Sequence, residues 1–124
     1  MLNPMKTLLS SLLAVLLTVT GALAQQAPAK AAKNTQQLQV KTSAVCDMCK
    51  ARLEKSLAYE KGVQAAVLDV PSQMLTVTYR PDKTTPEALR TAVQRTGYDA
   101  DAQPADARAY DRLPDCCKKS NAVH

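Results

Sequence analysis

The sequence predicts an α+β fold in which an antiparallel four-stranded sheet carries two helices on one face. Short hydrophobic stretches between turn signals are typical of strands. Two longer stretches with hydrophobic residues every three or four positions are typical of helices. Between residues 38 and 103 their order is strand, helix, strand, strand, helix, strand. This is the order of the ferredoxin-like βαββαβ sandwich.

The first strand and the first helix flank a loop with two cysteines. Hydrophobic and polar residues alternate from Leu38 to Thr42, which predicts a strand with one buried side. The helix follows over residues 50–57, because hydrophobic residues recur there every four positions and charged residues occupy the other faces. These hydrophobic residues are Cys49, Leu53 and Leu57. Gly62 is predicted to end the helix.

The next two strands are predicted to form a hairpin. They cover residues 63–70 and 74–79, and the Pro-Ser-Gln sequence at 71–73 is a turn signal between them. In the second strand, alternate hydrophobic residues fall on one face, which is therefore expected to pack on the core. These residues are Leu75, Val77 and Tyr79.

The second helix has two alternative starting signals. Thr84 with Glu87 fits a capping box, and Thr85 is the other candidate cap, with a proline at the first helical position. The stripe expected to be buried consists of Ala88, Leu89, Ala92, Val93 and Thr96. Gly97 ends the helix, and residues 98–103 are predicted to form the fourth strand.

Composition divides the chain into four segments. Residues 1–24 are predicted to be a secretory signal peptide, with Lys6 as the single charge before an apolar stretch and a small-x-small cleavage pattern. Residues 25–36, rich in Ala, Gln and Lys, are predicted to be a flexible leader. Residues 37–103 contain the folded domain, and residues 104–124 form a C-terminal tail with two adjacent cysteines.

The signal peptide predicts a periplasmic or secreted protein with no stable membrane insertion after cleavage. An uncleaved membrane anchor is the alternative. The apolar stretch is short for a span of about 20 residues, and Ser, Thr and Gly dilute it. We therefore favour cleavage and export.

Composition also excludes several classes of function. The 124 residues include no Phe and no Trp, and large aliphatic residues are sparse beyond the signal peptide, which excludes a large enzyme fold and a membrane-embedded transporter. The net charge of +5 comes from scattered Lys and Arg, and the aromatic share of 3% argues against nucleic acid as a partner. The sequence has no Gly-rich phosphate loop and no paired carboxylates at a candidate site, so we expect no enzyme.

The chemistry is concentrated in Cys46-Asp47-Met48-Cys49. Two thiols separated by two residues at the junction of a strand and a helix point toward one ion. Thiolates favour Cu(I), Hg(II), Cd(II) and Zn(II) over Mg(II) or Ca(II). Cys49 falls in the predicted first helical turn, where the helix dipole lowers a thiol pKa. The alternative for an exported protein is a disulfide, either structural or redox-active.

With this motif between the first strand and the first helix, the sequence resembles the heavy-metal-associated domain family. That family includes copper chaperones, modules of copper-transporting ATPases and the periplasmic mercury-binding protein. The resemblance covers residues 38–103 and depends on the cysteine motif, the helix after it, and the sequences at 62–63 and 96–100. It implies that Cys46 and Cys49 bind the metal. It also implies that Tyr98 is the aromatic residue beside the metal loop, although an ordinary core tyrosine is equally compatible.

One departure from the family concerns the loop. The family has Gly-Met-Thr or a similar sequence before the first cysteine, whereas this chain has Ser43-Ala44-Val45. Ala44 therefore replaces a methionine that packs under the loop. Met48 is a candidate to fill that contact or to offer a thioether ligand. A methionine that is simply packed or exposed is the alternative.

The tail adds Cys116 and Cys117, which lie outside the family's domain. One or two helical turns are predicted from Asp106 to the residue before Pro114, and His124, the single histidine, is expected at a frayed end. The pair has three interpretations: an auxiliary part of the first site, a separate soft-metal site, or disulfides with the first pair. The chain after the domain reaches about 28 Å, more than the roughly 20 Å needed to return to the loop.

These observations predict an exported soft-metal carrier or scavenger. Cu(I) is the preferred ion, with Hg(II), Zn(II) and Cd(II) as alternatives. The expected partner is a metal-transporting ATPase or another metal-trafficking protein, which would receive the metal by ligand exchange. Two other interpretations stay open: a periplasmic thiol–disulfide oxidoreductase, and a disulfide-stapled binding module without metal. The Asp-Met pair between the cysteines is unlike the motif of thioredoxin-like enzymes.

Overall fold

The computed structural model of the protein describes residues 34–124. Its elements are β1 (Gln36–Lys41), α1 (Asp47–Ala58), β2 (Val63–Asp69), β3 (Met74–Tyr79), α2 (Pro86–Thr96), α3 (Ala107–Asp111) and a single 3-10 turn, Asp115–Cys117. The predicted signal peptide, 1–24, and residues 25–33 of the predicted leader lie outside the described residues. Within 34–124, no helix has the length and apolar character needed to cross a membrane.

The sheet has three strands in the order β1-β3-β2, and both pairings are antiparallel. Val40 pairs with Leu75, and Leu75 also pairs with Leu68, so the inward-facing residues of all three strands form one row. The inner face is buried and consists of Val40, Leu68, Leu75, Val77 and Tyr79. The buried residues of α1 and α2 belong to the same core, so both helices cover this face.

The fourth strand predicted over residues 98–103 does not form. The chain makes a single bridge between Thr42 and Ala100 and then turns back. Asp101 has a left-handed backbone with φ of 52°, which ends any extended run. Its backbone N–H donates to the Lys41 carbonyl at 2.8 Å, and its carboxylate accepts from the Lys41 N–H at 2.9 Å. A carboxylate therefore takes the place that a strand carbonyl would occupy on the edge of β1.

The ends of the helices follow from local chemistry. Of the two candidate caps of α2, Thr85 is the one used, because its side chain accepts from the Ala88 N–H at 3.2 Å. Gly97 ends α2 with φ of 109°, a conformation that favours glycine. The helix predicted over 50–57 is longer at both ends. It starts at Asp47, directly after Cys46, and ends at Ala58.

The tail folds onto the end of α2. Asp106 caps α3 by accepting from the Ala109 N–H at 2.8 Å. Leu113 is buried in the core and lies against Gly97, where a β-carbon would be 3.1 Å from the Leu113 side chain. Pro114 then leads into the 3-10 turn that contains Cys117. These contacts direct the tail cysteines back toward the start of α1.

Candidate metal centre

Cys46 and Cys49 lie where the chain enters α1. Cys46 is the residue before the helix and has extended backbone angles, while Cys49 belongs to the first turn. The Lys50 N–H donates to the Cys46 carbonyl at 3.0 Å, which closes this turn. The two sulfur atoms consequently lie 3.3 Å apart, and both side chains are buried.

The tail brings two more sulfur atoms to the same place. The Sγ of Cys117 lies 3.9 Å from that of Cys46 and 4.0 Å from that of Cys116. The sulfur atoms of Cys46, Cys116 and Cys117 all lie within 4.8 Å of one another. All four residues are free thiols. The structure therefore gathers one thiol cluster, which consists of Cys46, Cys49, Cys116 and Cys117.

The two tail cysteines differ in exposure. Cys117 is 1% exposed and belongs to the core, whereas Cys116 is partly exposed. The Cys116 thiol donates to the Met48 Sδ at 3.6 Å, and Met48 is 51% exposed. Met48 therefore does not fill the buried position of Ala44. It forms an exposed sulfur pair with Cys116 at the rim of the cluster.

Tyr98 completes the buried side of the thiol cluster. Its side chain is fully buried, and its hydroxyl makes no hydrogen bond to any nitrogen or oxygen of the described residues. The thiols of Cys49 and Cys117 are near enough to influence it. Burial raises the pKa of the hydroxyl, and the two thiols raise it further, so the hydroxyl keeps its proton and is a donor.

The thiols are not equivalent electrostatically. Burial raises the pKa of Cys46 and, with the neighbouring Cys49, raises that of Cys117 strongly. Burial opposes ionisation of Cys49 as well. The Val45 backbone and the nearby polar groups, the Tyr98 hydroxyl and the neighbouring thiols, favour the thiolate more than burial opposes it, and the pKa of Cys49 is lowered. Of the three buried thiols, Cys49 is therefore the one that ionises first.

Polar contacts hold the end of the tail beside the metal loop. The His124 backbone N–H donates to the Val45 carbonyl at 2.8 Å, so the end that was expected to fray is attached. Lys119 forms an ion pair with Asp99 at 3.1 Å. The sequence carries no periodic signal for these contacts, because each joins residues that are distant along the chain. The adjacent cysteines were the single sign that the tail belongs near the site.

The comparisons with known proteins agree with this geometry. The heavy-metal-associated domain family matches residues 40–99. A copper-exporting P-type ATPase of Staphylococcus aureus (strain JH9) is 37% identical over 59 residues, which are 48% of this chain and 7% of that protein. The chain thus spans a small part of this relative's length.

Solved structures show the same fold. A CopZ metallochaperone has a TM-score of 0.51 at 24% identity, over 52% of this chain and 98% of that chain. Oxidized MerP from Ralstonia metallidurans CH34 has a TM-score of 0.51 at 22% identity, over 53% and 93%. These likenesses confirm the α+β ferredoxin-like fold, although with three strands rather than four. The resemblance drawn from the cysteine motif is also confirmed: residues 40–99 of this chain form a member of the heavy-metal-associated domain family.

Proposed function

We propose that the protein is an exported carrier or scavenger of a soft metal ion, with Cu(I) as its physiological cargo. The observation that carries the proposal is the pair of buried thiols of Cys46 and Cys49, 3.3 Å apart at the start of α1 in a heavy-metal-associated domain. Similarity to part of a copper-exporting ATPase favours copper among the soft ions. Hg(II), Zn(II) and Cd(II) are the competitors that thiolates also bind.

Binding begins at the thiol that ionises most readily. Cys49 has the lowered pKa, so its thiolate is the first ligand, and Cys46 joins once its proton has left. Each thiol that binds the ion releases a proton, so affinity falls as the pH is lowered. Burial of both sulfur atoms keeps water from the bound ion.

Release proceeds by ligand exchange with a partner that offers its own soft ligands. A thiolate of the partner forms a bond to the ion as one bond to this chain breaks, and the freed cysteine takes a proton. The ion stays Cu(I), and no electron is transferred. A metal-transporting ATPase or another metal-trafficking protein fits this role, because a module of a copper-exporting ATPase is the kind of relative that the chain resembles.

Export is a proposal that depends on residues 1–24, whose sequence has the pattern of a signal peptide. An exported thiol pair is exposed to oxidation unless it is reduced or loaded with metal. Periplasmic or secreted location therefore implies that the protein acquires its ion early or is maintained by a reductant.

The competing function is thiol–disulfide exchange. The lowered pKa of Cys49 and the short distance to Cys46 are compatible with it. A thiol that attacks a substrate disulfide must be accessible as a thiolate. Cys46 is 5% exposed, Cys49 is fully buried, and burial raises the pKa of Cys46, so the site favours metal over exchange.

An anaerobic titration tests the proposal. The reduced protein competes with a chromophoric chelator for Cu(I), alongside Cys46→Ser, Cys49→Ser and the control Ser120→Ala, which alters an exposed tail residue. Loss of either cysteine is expected to weaken binding more than about a hundredfold, since even outer-sphere partners are worth 10- to 100-fold. Unchanged affinity in both cysteine variants would refute the proposal, and rapid insulin reduction by the wild type would favour thiol–disulfide exchange.

A further inference from the structure

We propose that the C-terminal tail closes over the metal loop and supplies Cys117 as a third sulfur ligand. The site of this chain is then a shielded three-sulfur site formed by Cys46, Cys49 and Cys117. This inference rests on the proposed soft-metal function and specifies the ligand set and the access to it.

The sulfur distances favour three ligands over two. With metal–sulfur bonds of about 2.3 Å, three sulfur atoms around one ion lie about 4 Å apart, and two on opposite sides lie about 4.6 Å apart. Cys46 and Cys117 are 3.9 Å apart, and Cys46 and Cys49 are 3.3 Å apart. Both distances are shorter than a linear pair needs. Cys46 is the sulfur common to both pairs, and its spacing to Cys49 and to Cys117 suits neighbouring ligands of a three-sulfur site better than the two ends of a linear one.

Burial distinguishes Cys117 from its neighbour. Cys117, Cys46 and Cys49 are all at most 5% exposed, so an ion among them is shielded from water. Cys116 is partly exposed and directs its thiol to the exposed Met48. A buried cysteine is often only a small hydrophobic residue in a core. A role as a hydrophobic residue does not explain why three buried thiols from two distant parts of the chain come together.

Tyr98 provides an independent sign that a ligand belongs in this cluster. Its buried hydroxyl has no hydrogen-bond partner among the described residues and lies near the thiols of Cys49 and Cys117. An unsatisfied buried polar group is costly, and a hydrogen bond to a charged acceptor recovers more of that cost than one to a neutral acceptor. A metal-bound thiolate at Cys49 or Cys117 is such an acceptor. The hydroxyl is therefore positioned for the loaded site, and it links the domain cysteine to the tail cysteine.

The attachment of the tail is strong before Cys117 and weak after it. Leu113 is buried against Gly97, which fixes the segment that precedes the pair. After Cys117, Lys118 and Asn121 bond to other parts of the tail, Tyr110 and Asp115. The attachments to the domain itself include the Lys119–Asp99 ion pair and the backbone bond from His124 to Val45. The Lys119 side chain is 52% exposed, and exposed ion pairs contribute little. The end of the tail can therefore detach without unfolding the domain.

This arrangement predicts the order of events in transfer. Cys117 directly precedes the weakly attached end of the tail, so its bond to Cu(I) is the first to be exchanged, and the freed Cys117 thiolate takes a proton. An acceptor thiolate then forms a bond in its place, while Cys46 and Cys49 still hold the ion. The oxidation state does not change. The tail thus shields the cargo until an acceptor with thiolate ligands displaces Cys117.

Counting sulfur ligands tests the inference. X-ray absorption at the copper edge is measured on the Cu(I)-loaded full chain and on Cys117→Ser, Cys116→Ser and Ser120→Ala. Three sulfur neighbours are expected for the wild type and for Ser120→Ala, and two for Cys117→Ser, with affinity reduced at least about tenfold. Circular dichroism of each metal-free variant establishes that the fold is retained.

The outcomes separate this inference from the proposed function. Two sulfur neighbours in the wild type, with binding that still needs Cys46 and Cys49, would overturn the third ligand and leave the carrier function standing. Two neighbours in Cys116→Ser together with three in Cys117→Ser would overturn the choice of Cys117. Loss of the carrier function itself is detected by the titration of the Cys46 and Cys49 variants.

Discussion

The metal loop and the tail both contribute two cysteines, but they are positioned by different forces. Cys46 and Cys49 are three residues apart, and the first turn of α1 alone brings their sulfur atoms together. Cys117 is 71 residues from Cys46, so its place depends on the packing of the tail. Local helix geometry therefore positions Cys46 and Cys49, whereas tertiary packing positions Cys116 and Cys117.

The difference matters for function because local and tertiary positions respond differently to disturbance. The loop keeps its geometry as long as α1 is folded. The tail is held by the buried Leu113 and by polar contacts near its end. In the proposed site, a rigid pair of ligands is combined with a third ligand whose position depends on these tail contacts. The following predictions separate the two regions.

The largest effect is expected from Gly97→Ala, which acts where the tail packs against the end of α2. Gly97 has φ of 109°, and a β-carbon there would lie 3.0 Å from the Ala109 carbonyl oxygen and 3.1 Å from Leu113. The free energy of unfolding should fall by about 1–3 kcal/mol, measured by denaturant titration. Alkylation of Cys117 should also become faster, because the tail is displaced.

Gly62→Ala is the matched control for Gly97→Ala. Gly62 also has a positive φ, of 81°, but a β-carbon there would meet Lys83 and Thr84 rather than the tail. It should lower stability by a similar amount without changing the alkylation rate of Cys117. Equal acceleration of Cys117 alkylation in both variants would mean that Cys117 responds to global stability and not to the contact between Gly97 and the tail.

The next effect is expected from Tyr98→Phe, which tests whether the buried hydroxyl serves the metal or the fold. Since the buried hydroxyl has no hydrogen-bond partner in the described chain, its removal should raise the metal-free stability by about 1–3 kcal/mol rather than lower it. Cu(I) affinity should fall about tenfold, as for other groups that orient metal ligands. Chelator competition and thermal unfolding measure the two quantities.

Tyr79→Phe is the control for a tyrosine that serves the fold. Its hydroxyl donates to the Gln36 side chain at 3.1 Å. Loss of this bond should lower stability by about 0.5–1.5 kcal/mol and leave Cu(I) affinity unchanged. If Tyr98→Phe behaved like Tyr79→Phe in both measurements, the hydroxyl of Tyr98 would have no part in metal binding.

A smaller effect is expected from Lys119→Gln, which removes the ion pair with Asp99 and leaves a shorter, neutral polar side chain. Weaker attachment of the tail should speed Cu(I) transfer to a chelator about two- to fivefold, in line with the small energy of an exposed ion pair. Stopped-flow absorbance gives the rate. Arg80→Gln breaks another exposed ion pair, to Asp82, and should leave the rate unchanged; a similar acceleration there would contradict a specific role of the tail.

The smallest effect concerns Asp101, in the turn that replaces the fourth strand and leads toward the tail. Hydrogen bonds from the Lys41 N–H and the Arg90 guanidinium lower the pKa of this carboxyl. Because its pKa is lower in the folded state, the stabilisation is complete above the unfolded pKa of about 3.9 and is lost as the pH falls through the folded value. The side chain is 38% exposed, so solvent screening keeps the contribution below about 1 kcal/mol.

Asp101→Asn tests this prediction, because it removes the charge and keeps the shape. The wild type should lose stability relative to the variant between about pH 5 and pH 2, measured by chemical denaturation at each pH. Parallel stability curves for the two proteins would show that this carboxylate contributes nothing through its charge.

Much of the fold followed from the sequence, because its signals are local. Thr85, Pro86 and Gly97 mark the ends of α2, and the alternation in β3 places its hydrophobic residues on one face. The prediction of a fourth strand was wrong, because the sequence after Tyr98 does not reveal that Asp101 adopts a left-handed conformation and accepts a hydrogen bond from Lys41. That outcome depends on where β1 lies in space.

The candidate site divides in the same way. The thiol pair of the loop was predictable from its spacing, and the family resemblance indicated Tyr98. The choice among the alternatives for Cys116 and Cys117 was not predictable, because it depends on Leu113, Lys119 and a bond between His124 and Val45. Contacts between such distant residues leave no periodic pattern in a single sequence.

In the proposed site, Cys46 and Cys49 of the loop and Cys117 of the tail bind one ion together. A nitrogen-15 NMR titration of the reduced protein with Cu(I) tests it most directly, because it follows each region separately. At one equivalent of Cu(I), the amide signals of Cys46, Cys49 and Cys117 are expected to shift in a single step. Completion of the loop shifts at one equivalent, with the Cys117 signal unmoved or shifting only at a second equivalent, would contradict the claim.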